Sequence, residues 1–489
     1  MYGRMVTTHE IEVGGIHYDS RKIQKGDLFV AITGALVDGH KFIDGAIANG
    51  AKAVVLENDA VLPDSYFMHA GVVKIVVSDT RLALAIISGN FYGHPAKKLK
   101  LIGVTGTNGK TTTTYLIKQL LESSSPSLCG KVAMIGTIEY IIGDERIPAT
   151  HTTPESLELN RLFVQMVERQ CTHVVMEVSS HSLQQHRAHG LQFSVAVFTN
   201  LTQDHLDYHG TMERYFASKK ILFDGLTPPS FAVTNADDVW GLKIVRDTNG
   251  STLTYGISQN SDVHATHVSL SIDSTKFVIE HKNERTNIHS LLVGRFNVQN
   301  ILAACSAGIA LGIPTPALQS GVASLTSVPG RFERIVSPAG WTAIIDYAHT
   351  PDALEKCLST IHDVLPTKRS NKIITVFGAG GDRDKTKRPI MGKVVDTLSD
   401  VIFVTSDNPR TENPQTIIDD IRVGILRKEN LYEDVDRRSA ITKALSLAQK
   451  GDVVLIAGKG HEDYQVIGTT RHHFSDREVV NEAIVAHTP

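Results

Sequence analysis

The sequence predicts an α/β fold with three domains, and two observations lead to that prediction. Short apolar segments typical of strands alternate with helix-like segments along most of the chain, which predicts mostly parallel sheets covered by helices. At 489 residues the chain is also too long for one hydrophobic core. The pattern breaks at residues 93–95 (Gly-His-Pro) and 328–330 (Val-Pro-Gly). We therefore expect domains at residues 1–97, 98–329 and 330–489.

The first two domains differ in the sheets that we expect. The N-terminal domain is predicted as a small α/β unit with strands at 27–32, 53–56 and 72–77 and helices at 42–49 and 81–91. In the central domain a P-loop-type, mostly parallel sheet is expected, with strands at 132–138, 173–178, 195–199 and 230–234. Period-2 patterns between residues 252 and 293 predict antiparallel strands added at one edge, followed by helices at 297–310 and 316–325.

Residues 103–114, GVTGTNGKTTTT, have the layout of a phosphate-binding loop, since an apolar strand precedes them and a helix-like segment follows. Gly106 and Gly109 allow backbone N–H groups to turn inward, and a helix that starts near Lys110 adds partial positive charge. Lys110 would neutralise nucleotide phosphate, and the Thr111 hydroxyl would reach Mg²⁺. The first glycine is displaced by one position from the GxxxxGK[ST] pattern. A glycine turn with a solvated lysine is the alternative.

Three further residues of the central domain are candidates for metal or phosphate chemistry. Glu177 interrupts an apolar strand, where a buried carboxylate needs either a structural arginine or a metal ion. His205 lies in a stretch, residues 200–210, with two Asp and two His, which favours metal or phosphate binding, or capping and turn formation. Lys219 falls on the apolar stripe of a helix at 212–226, so it must snorkel, pair or lose its charge. The functional alternative is carbamylation by CO₂, which makes a carboxylate-like metal ligand.

The C-terminal domain is predicted to be Rossmann-like, with strands at 342–345, 373–377, 401–405 and 453–457. Each strand runs into a polar motif, respectively DYAH (346–349), GAGGDR (378–383), SDNPR (406–410) and GKGHE (458–462). Because ligands bind at the carboxyl ends of strands in open α/β sheets, the four motifs predict one ligand-binding face. Arg383 and Arg410 lie in turns there, and two guanidinium groups aimed at one face can hold a carboxylate.

Composition excludes several classes of protein. The net charge is −3 and no long basic run occurs, so nucleic acid is not an expected partner. No apolar run approaches the ~18 residues of a membrane span, and the N-terminus lacks the pattern of a signal peptide. The four cysteines (Cys129, Cys171, Cys305 and Cys357) are scattered without a C-x-x-C pair, which argues against zinc and a disulfide framework. We expect a cytoplasmic protein.

Five motifs together resemble those of the Mur ligase family, in the family's order and over essentially the whole chain. They are GTNGKTT (106–112), EVSSH (177–181), NLTQDHLDYHG (200–210), GRFE (330–333) and DYAHTPD (346–352). The resemblance is greatest to the member that adds a diamino acid to a nucleotide dipeptide. It implies an ADP-forming amide ligase of peptidoglycan precursor synthesis that uses ATP and Mg²⁺, with a CO₂-derived carbamate on Lys219. The implied substrates are UDP-N-acetylmuramoyl-L-alanyl-D-glutamate and meso-2,6-diaminopimelate, joined through an acyl phosphate by a monomer.

The resemblance also implies site residues. For ATP they are Gly106, Thr107, Asn108, Gly109, Lys110, Thr111, Thr112, Asn297, Arg331, Asp346 and His349. For the nucleotide dipeptide, whose UDP part is assigned to the N-terminal domain, they are Ser20, Thr152, Thr153, Ser179, Gln185 and Arg187. For the metal they are Thr111, Glu177, His205 and carbamylated Lys219, and for catalysis Lys110, His205 and Lys219.

The amino-acid site is implied at Arg383, Asp407, Asn408, Pro409, Arg410, Gly458 and Glu462. The sequence DNPR at 407–410 resembles the version that selects diaminopimelate over lysine, because Arg383 and Arg410 can pair a distal carboxylate that lysine lacks. Glu462 suits the distal ammonium. A lysine-adding ligase of the same family, a folylpolyglutamate synthetase-like ligase and a non-catalytic nucleotide-sensing module are the alternatives.

Overall fold

The computed structural model describes residues 3–5, 10–34, 37–124, 130–258, 260–365 and 371–486. The chain forms two compact units, of which the first consists of Met1–Gly103 and Gly130–Ser194 and the second of Val104–Cys129 and Val195–Pro489. Helices and mostly parallel sheets occur in both units, so the predicted α/β class is confirmed. The three-domain division with boundaries at 97 and 329 stays a prediction. Cys129 lies outside the described residues.

The strands are β1 Gly3–Met5, β2 Ile16–His17, β3 Leu28–Val30, β4 Ala53–Leu56, β5 Val73–Val77, β6 Lys100–Thr105, β7 Lys131–Ile135, β8 Glu139–Ile142, β9 Glu145–Pro148, β10 Cys171–Glu177, β11 Phe193–Phe198, β12 Phe231–Asn235, β13 Ser251–Gly256, β14 Val263–Leu270, β15 Thr275–His281, β16 Glu284–Ser290, β17 Glu333–Val336, β18 Thr342–Asp346, β19 Ile373–Phe377, β20 Val401–Thr405, β21 Leu431–Asp434, β22 Val453–Ala457, β23 Tyr464–Ile467 and β24 Thr470–His473.

The helices are α1 Ile43–Ala48, α2 Asp64–Ala70, α3 Thr80–Phe91, α4 Lys110–Glu122, α5 Ser156–Glu168, α6 Ser180–Gln184, α7 Leu206–His209, α8 Met212–Asp224, α9 Gly241–Ile244, α10 Arg295–Ala310, α11 Thr315–Ser324, α12 Pro351–Val364, α13 Lys387–Leu398, α14 Pro414–Arg422, α15 Arg437–Leu447 and α16 Asp476–Ala486. Short 3₁₀ turns form at Ser20–Lys22, Gly39–Phe42 and Pro95–Lys98.

The first unit contains a five-stranded sheet of order β1-β5-β4-β3-β2, parallel except for β1. All four residues of β4 are buried, because helices cover both faces of the sheet. Phe67 of α2 packs on one face and Leu84 of α3 on the other. This double cover explains why the strands appear in the sequence as continuous apolar runs.

A hairpin in the first unit was not predicted. β8 and β9 pair antiparallel, with Ile142 opposite Glu145, so Gly143 and Asp144 form a two-residue turn. Gly143 has φ 61°, which a glycine adopts without strain. The Gly-Asp pair between two strand-like runs is the sequence signal that indicates such a turn. β8 in turn pairs antiparallel with β7, which is parallel to β10.

The second unit begins at the end of β6 and contains a run of strands from β11 to β16. β11 to β14 pair in parallel, and β15 and β16 are added antiparallel. The expectation of antiparallel strands from residue 252 onward is therefore wrong for β13 and the start of β14. The alternating polar and apolar residues there reflect one solvent-facing side of the sheet, which both strand directions allow.

The remaining sheet of the second unit has the order β17-β18-β22-β19-β20-β21 and is parallel except for β17. Two hydrophobic clusters cover its faces, one with α12, α13 and α14 and the other with α15 and α16. β18, β22, β19 and β20 are consecutive parallel neighbours. Their carboxyl ends therefore lie at one edge, as the four polar motifs predicted.

A buried ion pair joins two strands of this last sheet to two of the helices that cover it. Arg437 and Asp476 are both 0% exposed and form two hydrogen bonds of 2.8 Å. The same guanidinium donates to the carbonyls of Ser406 and Ala457, which follow or end β20 and β22. The pair thereby connects α15 and α16 to two strand ends. Among the described residues, no helix is long and apolar enough to cross a membrane.

We predict that Arg437→Ala lowers the free energy of unfolding by about 3–5 kcal/mol, because it leaves Asp476 charged and buried without its partner. Chemical denaturation measures the change. The control is Arg438→Ala, whose guanidinium is half exposed and pairs with exposed Glu482. That change should cost no more than about 0.5 kcal/mol. Equal losses for the two variants would contradict the prediction.

Candidate active site

The phosphate-binding loop connects β6 to α4 through two glycines whose conformations other residues rarely adopt. Gly109 has φ 83°, and a Cβ there would lie 2.3 Å from Asn300 Oδ1. A Cβ at Gly106 would lie 1.9 Å from Thr199 Oγ1. The first helical bond of α4 runs from Thr113 N to Gly109 O, so the preceding N–H groups point out of the helix end. The loop therefore has the backbone geometry that an anion requires.

Two lysines converge on the loop. Lys110 Nζ donates to Gly106 O at 3.0 Å and to Thr107 O at 2.8 Å. Lys219 Nζ donates to the same Gly106 carbonyl at 2.8 Å. The solvated-lysine alternative for Lys110 is not what the structure contains.

Lys219 is buried on α8 with its side chain 1% exposed, so it does not snorkel. Burial lowers its pKa well below the usual range, the charge of Lys110 lowers it further, and Asp204 opposes both. The amine lies 4.5 Å from the centre of the Tyr215 ring, whose hydroxyl bonds Thr107 Oγ1 at 3.1 Å. A buried lysine with a depressed pKa is a nucleophilic neutral amine, the form that CO₂ carbamylates.

His205 also lies near Tyr215, with the two ring centres 6.1 Å apart. Its backbone is left-handed at φ 55°, and its Nε2 lies 3.4 Å from Asp204 Oδ2. Burial alone would raise the pKa of Asp204, but the charges of His205, His349 and Lys387 outweigh it and lower that pKa. Asp204 is therefore held ionised beside the phosphate-binding loop.

Arg331 connects the loop to the last sheet. Its guanidinium donates to Thr111 Oγ1 at 3.2 Å and stacks on the Tyr347 ring at 4.6 Å. Asp346 has a structural part in the same region, since its oxygens accept from the N–H groups of Phe332 at 2.6 Å and Ala348 at 2.7 Å. Burial raises the pKa of Asp346. The roles assigned to these residues toward ATP stay predictions.

Asn297 supports the loop from α10. Its Nδ2 donates to Val293 O at 2.8 Å, and its Oδ1 accepts from Asn300 Nδ2 at 3.0 Å. Asn300 is the side chain that a Cβ at Gly109 would strike. The Asn297–Asn300 pair therefore fixes the surface against which the loop turns.

A cavity of about 330 Å³, here called the strand-end cavity, opens at the carboxyl ends of the last sheet. It is lined by eight of the predicted residues, His205, His349, Arg383, Asp407, Asn408, Arg410, Gly458 and Glu462. Pro409 is buried in the wall but does not line it. Asp352, also in the lining, accepts from Asn108 Nδ2 of the phosphate-binding loop at 2.8 Å. The loop and the cavity are thus directly connected.

Arg410 is held firmly at the cavity, whereas Arg383 is exposed. Arg410 has φ 51°, its N–H donates to Val466 O at 3.0 Å, and its Nη1 donates to Gly381 O at 2.7 Å. Arg383 Nη1 donates to Asp382 O at 3.1 Å. Both guanidinium groups line the strand-end cavity, and each retains donors for a carboxylate.

The residues assigned to the nucleotide dipeptide lie in the first unit. Arg187 donates to Thr153 O at 2.8 Å and to Gln185 Oε1 at 2.7 Å. Thr153 Oγ1 accepts from Ser179 N at 3.1 Å, so these four residues form one cluster. Thr152 Oγ1 lies 3.1 Å from Thr137 Oγ1. Ser20 begins a 3₁₀ turn and its carbonyl accepts from Asn49 Nδ2 at 3.0 Å.

Glu177 is fully buried in the first unit, and both carboxylate oxygens are bonded to Thr137. Oε1 accepts from Thr137 N at 2.8 Å and Oε2 from Thr137 Oγ1 at 3.0 Å. Of the two partners that the sequence left open, a structural arginine and a metal ion, the arginine is not what bonds Glu177, because Thr137 does.

Sequence reasoning assigned no role to four residues that the structure brings to these sites. Asp204, Asp352 and Lys387 line the strand-end cavity, and Lys459 lies buried behind its wall. Burial lowers the pKa of Lys387, against the charge of Asp204. The sequence contained a signal for Lys459, because a lysine that closely follows an apolar strand and becomes buried needs a polar partner. The other three follow a strand end or begin a helix, where carboxylates and lysines are ordinary.

Three family models match the chain. They are described as Mur ligase family, catalytic domain (residues 12–92), Mur ligase middle domain (104–308) and Mur ligase, glutamate ligase domain (330–460).

Similar curated proteins carry the name UDP-N-acetylmuramoyl-L-alanyl-D-glutamate--2,6-diaminopimelate ligase. Those of Clostridium botulinum and Clostridium tetani are each 46% identical over 97% of this chain and 95% of their own length. That of Geobacter metallireducens is 45% identical over 97% of this chain and 94% of its own.

Solved structures agree in fold. One of a protein with the same name is 35% identical, with a TM-score of 0.67 over 97% of this chain and 96% of that one. Another, of the MurF ligase from Thermotoga maritima in complex with ADP, is 21% identical, with a TM-score of 0.62 over 96% of both chains. This second similarity is one of fold alone.

We predict that Gly109→Ala raises the Kd for nucleotide at least about tenfold, because the added Cβ strains a left-handed turn and strikes Asn300. Equilibrium binding of a fluorescent ATP analogue measures the change. Gly71→Ala is the matched control, since Gly71 is also left-handed at φ 65° but nothing lies within 4 Å of its Cβ position. It should lose some stability and keep its nucleotide affinity. Unchanged affinity in Gly109→Ala would refute the assigned loop.

Proposed function

Because the chain belongs to the Mur ligase family, we propose that it is an ATP-dependent amide ligase. In this proposal it joins meso-2,6-diaminopimelate to the D-glutamyl γ-carboxylate of UDP-N-acetylmuramoyl-L-alanyl-D-glutamate and releases ADP and phosphate. The names of relatives up to 46% identical over nearly the whole chain support it. The observation that carries it is the strand-end cavity, which presents two arginines and is bonded to the phosphate-binding loop through Asn108 and Asp352.

The residues present fit a magnesium ion that is held partly by nucleotide phosphate. No group of three or more His, Cys, Asp or Glu in the described part of the chain could hold a metal by itself. Mg²⁺ commonly takes few protein ligands and completes its shell with phosphate oxygens and water. Thr111, His205 and carbamylated Lys219 of the second unit are the proposed ligands. Bound there, the ion would neutralise charge on the transferring phosphoryl group.

Activation of the carboxylate is the first proposed step. The γ-carboxylate oxygen attacks the γ-phosphorus of ATP, the bond to the β,γ-bridging oxygen breaks, and an acyl phosphate and ADP form. Lys110 and the N-terminus of α4 counter the charge on the phosphates. Arg331, which reaches Thr111 from the last sheet, adds a further positive charge at this point.

Carbamylation of Lys219 is proposed because its buried amine shares an acceptor with Lys110. Two ammonium groups on one carbonyl repel each other, and the repulsion is relieved if one amine is neutral. Addition of CO₂ to the neutral amine forms an N–C bond and releases a proton, leaving a carboxylate-like anion. Such an anion would pair with Lys110 and coordinate the metal ion.

Amide formation is the second proposed step. An amine of diaminopimelate attacks the acyl carbon, a tetrahedral intermediate forms, and inorganic phosphate departs as the amine loses a proton. The distal end of the amino acid is held in the strand-end cavity. Arg383 and Arg410 would pair its carboxylate, while Glu462, which accepts from Asn408 Nδ2, suits its ammonium. Lysine lacks the distal carboxylate and would leave both guanidinium groups unpaired there.

The other lines of the proposal concern the chain as a whole. The cluster around Thr153 and Arg187 is proposed to hold the dipeptide, with Ser20 contacting the uridine nucleotide. The ranges of the three family models support domains at 1–97, 98–329 and 330–489. We also propose that the protein acts as a monomer. Three buried free thiols fit a reducing compartment, and we propose the cytoplasm.

We predict that Arg410→Lys raises the KM for diaminopimelate about 30-fold or more and leaves the KM for ATP unchanged. The lysine loses the planar fork that pairs a carboxylate, a loss of about 2 kcal/mol. Amino-acid-dependent ADP release measures both constants. Arg471→Lys is the control, because Arg471 is exposed and stacks on Tyr464. An unchanged preference would refute the assignment, and ADP release that needs no amino acid would indicate a plain ATPase.

We predict that Lys219→Arg lowers kcat about 100-fold or more, since a guanidinium cannot form the carbamate. Lys220→Arg, one residue further along α8 and paired with Asp224, is the control and should keep its activity. Trapping with ¹³CO₂ followed by mass spectrometry should label Lys219 in the wild type. Full activity of Lys219→Arg would exclude the carbamate.

A further inference from the structure

Lys459 is a buried cation behind the wall of the strand-end cavity. It follows β22 and its side chain is 0% exposed. Its Nζ lies 3.2 Å from Glu462 Oε2, 3.3 Å from Asn408 Oδ1 and 3.8 Å from Asp407 Oδ1. All three acceptors belong to residues that line the cavity, although Lys459 itself does not line it. The lysine therefore acts on the cavity only through these neighbours.

Lys459 and Asn408 together bond one oxygen of Glu462 to the wall of the cavity. Oε2 accepts from Asn408 Nδ2 at 2.8 Å and from Lys459, so it is doubly bonded to the wall. Within the described part of the chain, Oε1 accepts one long bond, from the Tyr347 hydroxyl at 3.4 Å. A carboxylate that is anchored through one oxygen keeps the other for a cationic ligand.

The same lysine balances charge in the wall. Asp407 Oδ1 is buried and has no hydrogen-bond partner among the described residues, so it is stabilised by charge at 3.8 Å from Lys459. Arg437 is also near, but it is committed to Asp476 and to two carbonyl groups. Without Lys459, two carboxylates of the wall would lose the cation that lies between them.

We propose that Lys459 is a positioning residue that, together with Asn408, orients Glu462 to receive the distal ammonium of the amino-acid substrate. The inference rests on the proposed function, because it presumes that a diamino acid occupies the strand-end cavity. Lys459 sets recognition of one ligand group and leaves phosphate chemistry at the loop untouched.

The test compares two amino acids that differ only in the distal amine, meso-diaminopimelate and 2-aminopimelate. Lys459→Met should raise the KM for diaminopimelate about 10- to 100-fold, because the oriented acceptor for its ammonium is lost. For 2-aminopimelate, the KM, or the inhibition constant where it is not turned over, should change less than about threefold. The kcat at saturating diaminopimelate and the KM for ATP should stay near wild type.

Lys443→Met is the matched control, since Lys443 is exposed and pairs with Asp434 in the same part of the chain. Lys459→Gln, which keeps an N–H donor without the charge, carries the same comparison if Lys459→Met does not fold. Equal losses for the two amino acids, no loss, or a fall in kcat alone would overturn the positioning role. Wild-type protein that does not use diaminopimelate would instead overturn the proposed function.

Discussion

The proposed site depends on one shared hydrogen-bond acceptor, the carbonyl oxygen of Gly106, to which both Lys110 and Lys219 donate. Gly106 O is available to both amines because the glycine turn brings it out of β6, and because α8 carries a lysine where the helix faces the core. The repulsion between two cations on one carbonyl is relieved when one of them loses its proton. Burial lowers the pKa of Lys219 and thereby favours its neutral form.

The strand-end cavity follows from topology in the same direct way. The carboxyl ends of parallel strands lie at one edge of the sheet, so motifs that are far apart in the sequence become neighbours in the folded protein. Arg383 follows β19 and Arg410 follows β20, and the two strands pair in parallel. The lining of the strand-end cavity therefore comes from several loops that are distant from one another in the sequence.

The sequence predicted those features that depend on local pattern. Apolar strands, the loop glycines and the stripe on α8 were readable because each obeys a short-range rule. Strand direction in β13 was not readable, because direction is decided by the neighbour against which a strand packs. Lys459 and Asp204 were missed for a similar reason. Their surroundings depend on which side chains lie nearby after folding. The same holds for Glu177, whose hydrogen-bond partner is Thr137, a residue that neither alternative from the sequence included.

The left-handed backbone conformation of Arg410 limits how the turn can change among related enzymes. An L-residue there costs about 1–2 kcal/mol, which the surrounding bonds to Val466, Gly468 and Gly381 must offset. A single exchange of the side chain would retain the strained turn and its two backbone bonds but lose the bond from Arg410 Nη1 to Gly381 O, which helps to offset the strain. A lineage that changes its amino-acid substrate would therefore be expected to replace the turn at 407–410 as a block. Related enzymes that use a different amino acid should then differ from this protein in the shape of the loop at 407–410.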